Sequence, residues 1–291
     1  MPDQTYAVGA PRRSKPRPGT PLYLLAGAMV AAVFVVPLVW EILRSFEAPG
    51  AIVSPPSLKN LSNLSFTNYT KLLNGDDILR NVLNSLIVAI ATSVITAVVA
   101  TLGGYGFGRF KFRGSGAAFG LVLLGFMVPF QAVVVPLFLE LKVFHLLNSL
   151  LGLALFYTAF NLPFGTYLMR NTFKLVPHEL TDAAMVDGAS VMKTLTRVLR
   201  PLIVPGIATT VLYAFLFSWT EFLGALTFTT KDSIYTLPVA LVNVESSDTY
   251  GQIDYGVLVA GAVIAMVPCI IIYVALQRYY VRGLVSGAVK G

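Results

Sequence analysis

Six stretches of this chain, 21–40, 81–108, 114–139, 146–169, 201–220 and 255–277, contain no Asp, Glu, Lys or Arg. A helix rises about 1.5 Å per residue, so about 20 residues cross a hydrocarbon core of roughly 30 Å. No other charge-free stretch reaches 18 residues. Charged residues make up 12% of the 291 and hydrophobic ones 56%, with a mean hydropathy of +0.74. A soluble domain carries about 25% charged residues to cover its surface. The expected fold is therefore an all-α membrane protein with six transmembrane helices. The first stretch is longer than a signal-peptide core, and Trp40-Glu41 follows it instead of a small-residue cleavage site. It reads as a retained anchor.

Six spans put both termini on one side, and the basic residues choose the side. Fifteen of the Lys and Arg residues fall in the two tails, the loop at 109–113 and the segment 170–200, against six in the alternate loops. The positive-inside bias places both termini in the cytoplasm. It also accounts for the +7 net charge without nucleic acid. The loop 221–254 is acidic, which suits the outside. The expected organisation is a disordered basic cytoplasmic tail at 1–20, a six-span domain at 21–280 and a cytoplasmic tail at 281–291.

Little in the chain points to catalysis. Cys269 is the one cysteine, so an internal disulfide is excluded, and it lies in an apolar run as packing. His145 and His178 are far apart and lack metal-ligand spacing. No phosphate-binding Walker A loop is present, nor a nucleophile–base pair on recognisable spacing.

Between the fourth and fifth runs lies a polar island at 177–201, PHELTDAAMVDGASVMKTLTRVLRP. It reads as two short helices. Pro177 suits a first helical position, where its missing N–H is no loss. Glu179 and Asp182 fall in or near the first turn, at the positive end of the helix dipole. Gly188 ends the first helix and Ser190 caps the second. Leu180, Ala184, Val191, Leu195 and Val198 recur at helical spacing and define one apolar face. Such a segment needs a partner surface, unless it is merely a surface amphipathic helix.

The pattern 179–190 resembles the cytoplasmic loop of ABC importer membrane subunits, in which Glu-Ala-Ala precedes Asp-Gly-Ala and an Ile-x-Leu-Pro group. Asp182-Ala183-Ala184 stands for the first group, Asp187-Gly188-Ala189 matches the second, and Val198-Leu199-Arg200-Pro201 stands for the third. Asp182 is one methylene shorter than Glu. Arg200 puts a charge where an apolar residue is usual, and at a span boundary it can snorkel to headgroups. Leu83–Leu86, Gly104–Phe112, Trp219–Leu223 and Gln277–Gly291 are similar to the six-span permease of the maltose-transporter type, although Trp219-Thr220-Glu221 departs from Trp-Asn-Glu.

The resemblance implies a permease subunit of a binding-protein-dependent sugar importer in a prokaryotic cell (inner) membrane. A second, homologous permease completes the pathway, and an ABC ATPase dimer docks below it. ATP and magnesium sit on that ATPase, so this chain carries no cofactor and no catalytic residue. Glu179, Asp182, Ala183, Ala184, Asp187, Gly188, Ala189 and Pro201 form the ATPase-coupling site. An extracytoplasmic solute-binding protein docks on the loop 222–254, and residues 283–291 form a second ATPase contact. Two alternatives stay open: a permease of the same architecture for a non-sugar solute such as glycerol phosphate, and a self-contained secondary carrier. The carrier would want intramembrane charges, of which the spans have almost none.

Polar and aromatic residues inside the runs are candidates for the substrate pathway: Gln131, Tyr157, Asn161, Tyr213 and Trp219. Each has a plainer role open to it. Gln131 and Asn161 can bond neighbouring helices or carbonyls freed by Pro129 and Pro163. The aromatics can simply pack. Glu221 is either solvated at the outer boundary or buried in a span, where it would cost about 2.5–3.5 kcal/mol. Gly104 and Gly108 are spaced for close helix contact, or they loosen a helix end.

Overall fold

The structure, a computed structural model, describes residues 20–48, 64–75, 77–246 and 254–288. The basic tail expected at 1–20 lies outside the described residues except at its last position. So do 247–253 of the acidic loop and 289–291 of the C-terminal tail. The described residues are all helical or irregular, with no strand.

Three helices form the centre. α3 (Ile78–Arg109) packs along α6 (Leu150–Leu175), and α9 (Arg200–Thr220) lies against both. Small residues let them approach. A Cβ at Gly104 would run into Met169 and the backbone of Arg170, and one at Gly108 would lie 3.1 Å from the Arg170 carbonyl. These glycines therefore serve close helix contact rather than loosening the helix end. Thr92, Thr96, Asn161 and Thr210 are also buried in these three helices.

Four helices among the described residues are long and apolar enough to cross a membrane: Leu22–Arg44, Ile78–Arg109, Val191–Thr220 and Tyr255–Tyr279. The third apolar run is broken. α4 (Ser115–Leu124) passes through a 3-10 turn, Gly125–Met127, and then bends by 101° into α5 (Phe130–Val143). The cause is Pro129, whose ring forces the preceding Val128 out of the helical region, to ψ 113°. The bent pair, taken as one crossing, makes a fifth span. α6 is long enough at 26 residues. Asn161, two tyrosines and several threonines and glycines lower its hydropathy, because much of its surface faces protein rather than lipid.

The stretch after α9, expected as an outer loop, is largely packed. α10 (Leu223–Phe228) and α11 (Leu237–Ser246) turn back onto the bundle, with Ala225, Phe228, Leu237 and Val239 buried. Two residues of α3 hold this return. The Asn84 amide donates to the carbonyls of Ser233 (3.1 Å) and Tyr235 (3.0 Å), and Ser85 Oγ accepts from Leu237 N–H at 2.7 Å.

α1 (Thr20–Arg44) stands apart from the centre and meets α12 (Tyr255–Ala288). None of its most apolar window is buried. Its end is clasped by α2 (Thr67–Asn74). There the buried Asn68 donates to the carbonyls of Ser45 (2.9 Å) and Glu47 (2.8 Å). α2 in turn lies on α12, tied by Lys71 to Asp254 at 2.8 Å.

Candidate functional site

The polar island folds as two helices joined by a tight turn. α6 ends at Leu175, and Val176 leaves it in an extended conformation. The first short helix, α7 (Glu179–Val186), begins two residues after Pro177 rather than at it. Glu179 and Asp182 occupy its first turn. Its end explains the Asp187-Gly188-Ala189 triplet. Ala189 N–H donates to the Ala184 carbonyl (2.9 Å) and Gly188 N–H to the Met185 carbonyl (3.0 Å). This pair of bonds is the Schellman closure, which needs a left-handed residue after the cap. Gly188 supplies it at φ 75°. Ser190 then accepts from Lys193 N–H at 3.4 Å and starts α8 (Val191–Lys193).

α8 widens into a π-helical turn, Thr194–Leu199, before α9 begins at Arg200. Pro201 has no N–H to give, and its ring crowds the carbonyl one turn back, so a wider turn just before it is the expected response. The result is one continuous rod, Val191–Thr220, from the polar island into a span.

One side of this unit is inside and the other is bare. Thr181, Ala184, Thr194, Leu195 and Leu199 are buried. Leu195 and Leu199 join Tyr105, Met169, Phe173 and Val176 in a core at the C-terminal ends of α3 and α6. Leu180 and Val191, expected on one apolar face with Ala184 and Leu195, are exposed while those two are buried. Met185, Val186 and Met192 are exposed beside them, with Val186 at 87%. Glu179, Asp182, Ala183, Asp187 and Gly188 share the exposed side, as does Pro201 further along, while Ala189 is half-buried. The segment thus presents a ridge of apolar side chains flanked by carboxylates.

The pathway candidates separate into two groups. Tyr157, Asn161 and Trp219 are buried and hydrogen-bonded inside the bundle. Trp219 donates its indole N–H to the Ala265 carbonyl at 3.0 Å, and Asn161 donates to the Tyr157 carbonyl at 2.7 Å. Tyr157 donates its hydroxyl to Glu221. Glu221 is neither a solvated rim residue nor an unpartnered buried one. Its carboxylate also accepts from Gly224 N–H (2.9 Å) and Ala225 N–H (3.4 Å), capping α10. Gln131 and Tyr213 remain accessible. Gln131 is exposed in the first turn of α5 after the bend. The Tyr213 ring lies 4.1 Å from Phe164, which meets Phe126 at 6.0 Å. Phe126 and Phe164 carried no signal beyond composition, because only the fold puts three helices' aromatics in one row. Among the described residues no three His, Cys, Asp or Glu side chains cluster as a metal site would require.

Comparison with known proteins adds the following. Residues 100–286 match the family model of binding-protein-dependent transport system inner membrane components. The chain is 31% identical over 261 residues to the diacetylchitobiose uptake system permease protein NgcG of Streptomyces coelicolor, covering 89% of this chain and 85% of that protein. It is 31% identical over 263 residues to the trehalose transport system permease protein SugB of Mycobacterium tuberculosis, covering 90% and 95%. Among solved structures, a chain of a bacterial ABC transporter that imports the acidic polysaccharide alginate superposes with a TM-score of 0.75. It shares 21% identity and the match covers 92% of this chain and 99% of that one, so the likeness is one of fold.

Proposed function

The chain belongs to the binding-protein-dependent transport system inner membrane components, and from that premise we propose that it is one of two permeases in a carbohydrate-uptake ABC importer. It forms half of the translocation pathway for a sugar or oligosaccharide in the cell (inner) membrane. The sugar class is supported by relatives named for diacetylchitobiose and trehalose uptake. The observation that carries the reading is the geometry of 177–201. A Schellman turn at Gly188 sets an acidic first turn and a bare apolar ridge on a stiff unit continuous with a span.

In this reading α6 is the sixth crossing, and the Lys and Arg bias puts both termini and α7 in the cytoplasm. A separate ABC ATPase dimer, which holds ATP and magnesium, receives the ridge. Its closure moves the rod Val191–Thr220 as a rigid body and rocks the bundle between inward and outward openings. A second, homologous permease supplies the other half of the pathway, and the uncovered α1 is available to it and to lipid. An extracytoplasmic solute-binding protein delivers the solute; a bacterial alginate ABC transporter of similar fold, solved in complex with its pentasaccharide-bound periplasmic protein, supports such a partner. Gln131 and Tyr213 are the accessible candidates for touching solute, while Tyr157, Asn161 and Trp219 hold the helices that shape the path.

The test is a pull-down of tagged chain from native membranes in mild detergent, with mass spectrometry of what co-elutes. A second permease and a nucleotide-binding ATPase are expected. Recovery of the chain alone, under conditions that preserve a control importer, would overturn the reading.

A further inference from the structure

Arg109 ends α3 at the joint where α3, α6 and the coupling segment meet. All three nitrogens of its guanidinium are shut off from solvent, and none has a hydrogen-bond partner among the described residues. A desolvated cation without hydrogen bonds is destabilising, so it calls for a partner in some state of the molecule. Arg170, the neighbouring arginine, is already engaged. Its Nε donates to the Phe107 carbonyl at 3.3 Å, and its guanidinium lies 4.0 Å over the Phe119 ring. Besides Tyr105 on the same helix, the charges that bear on Arg109 are Asp182 and Glu179. Both lie in the first turn of α7. Neither is paired with it here: the ion pairs among the described residues are Arg44–Glu47, Lys71–Asp254 and Arg80–Asp77.

We propose that Arg109 is a positioning residue for coupling, whose guanidinium closes on Asp182 and Glu179 when the ATPase drives α7 against the bundle, so that α3 moves with the coupling segment. The proposal rests on reading 177–201 as the ATPase-coupling site. The planar fork of Arg can engage two carboxylates at once, which the point charge of Lys does less well.

The experiment uses the intact complex, with both permeases and the ATPase dimer, in nanodiscs without solute, and measures ATP hydrolysis per complex. A permease that must move with the ATPase loads its closure, and loss of the link removes that load. R109Q is therefore expected to raise hydrolysis at least threefold while recruiting the ATPase to the wild-type extent. R109K should fall between. The pair E179Q/D182N should raise hydrolysis similarly, and adding R109Q to it should change the rate less than twofold. Effects that multiply independently, or an unchanged rate in R109Q, would overturn the proposal. If R109Q does not accumulate, R109K combined with E179Q/D182N completes the same cycle and is read in the same way. Failure of the wild-type chain to recruit an ATPase would sink the coupling reading instead.

Discussion

At the scale of single residues, Gly188 and Glu221 do different work with similar economy. Gly188 sits at φ 75° with open space where a Cβ would go, so G188A meets no clash. Its effect is backbone strain alone, about 1–2 kcal/mol for an L-residue in the left-handed region. G188A is expected to lower the melting temperature of the purified chain by a few degrees and to weaken ATPase capture more than that loss explains. Equal capture would show that the turn's shape is not read by the ATPase. Glu221 gathers two backbone N–H groups and the Tyr157 hydroxyl. Y157F and E221Q remove the same charge-assisted contact, so their destabilisations should fall short of additive in a thermal double-mutant cycle. Full additivity would mean that the two side chains act separately.

At the scale of elements, the clasp of α2 between α1 and α12 carries a pH signature. Burial alone pushes the Asp254 carboxyl up, but the Lys71 hydrogen bond, the N–H groups of Val257 and Gly256 and the Lys71 charge outweigh it and hold the carboxyl below its usual value. A depressed carboxyl stabilises the fold above its unfolded-state value, near 4, and that contribution is lost as pH falls through the folded value. K71A should therefore lower the melting temperature at pH 7 by a small amount, since a partly exposed pair is worth about 0–1 kcal/mol. Below the folded value of Asp254 the gap between wild type and variant should close. A gap that persists once Asp254 is protonated in the folded chain would assign the loss to the Lys71 stem rather than to the charge pair.

At the scale of the whole molecule, the bare ridge at 177–201 and the uncovered α1 are separate surfaces and should fail separately. Val186 is 87% exposed, so V186E leaves the chain's own packing alone. It places a charge in the centre of the apolar ridge. The expected outcome is at least a tenfold loss of ATPase in the pull-down, with the second permease retained. Loss of both together would mean that the ridge is not a dedicated ATPase surface.

The membrane class and the helix–turn–helix at 177–201 were legible in the chain itself, because both are local. A charge-free run reports a transfer free energy residue by residue, and Asp187-Gly188-Ala189 reports a backbone that only glycine adopts freely. The break at Val128-Pro129 was also locally encoded, though its 101° angle was not. Other features depended on partners far away in sequence. Whether Tyr157 lines a path or caps one depends on Glu221, 64 residues on, and the packing of Leu237 depends on Ser85, 152 residues back. The same holds for Arg109, which reads locally as one more topology charge at the end of a span. Only the fold encloses its guanidinium within reach of the α7 carboxylate charges, because burial and charge proximity are properties of three-dimensional neighbours rather than of residue order.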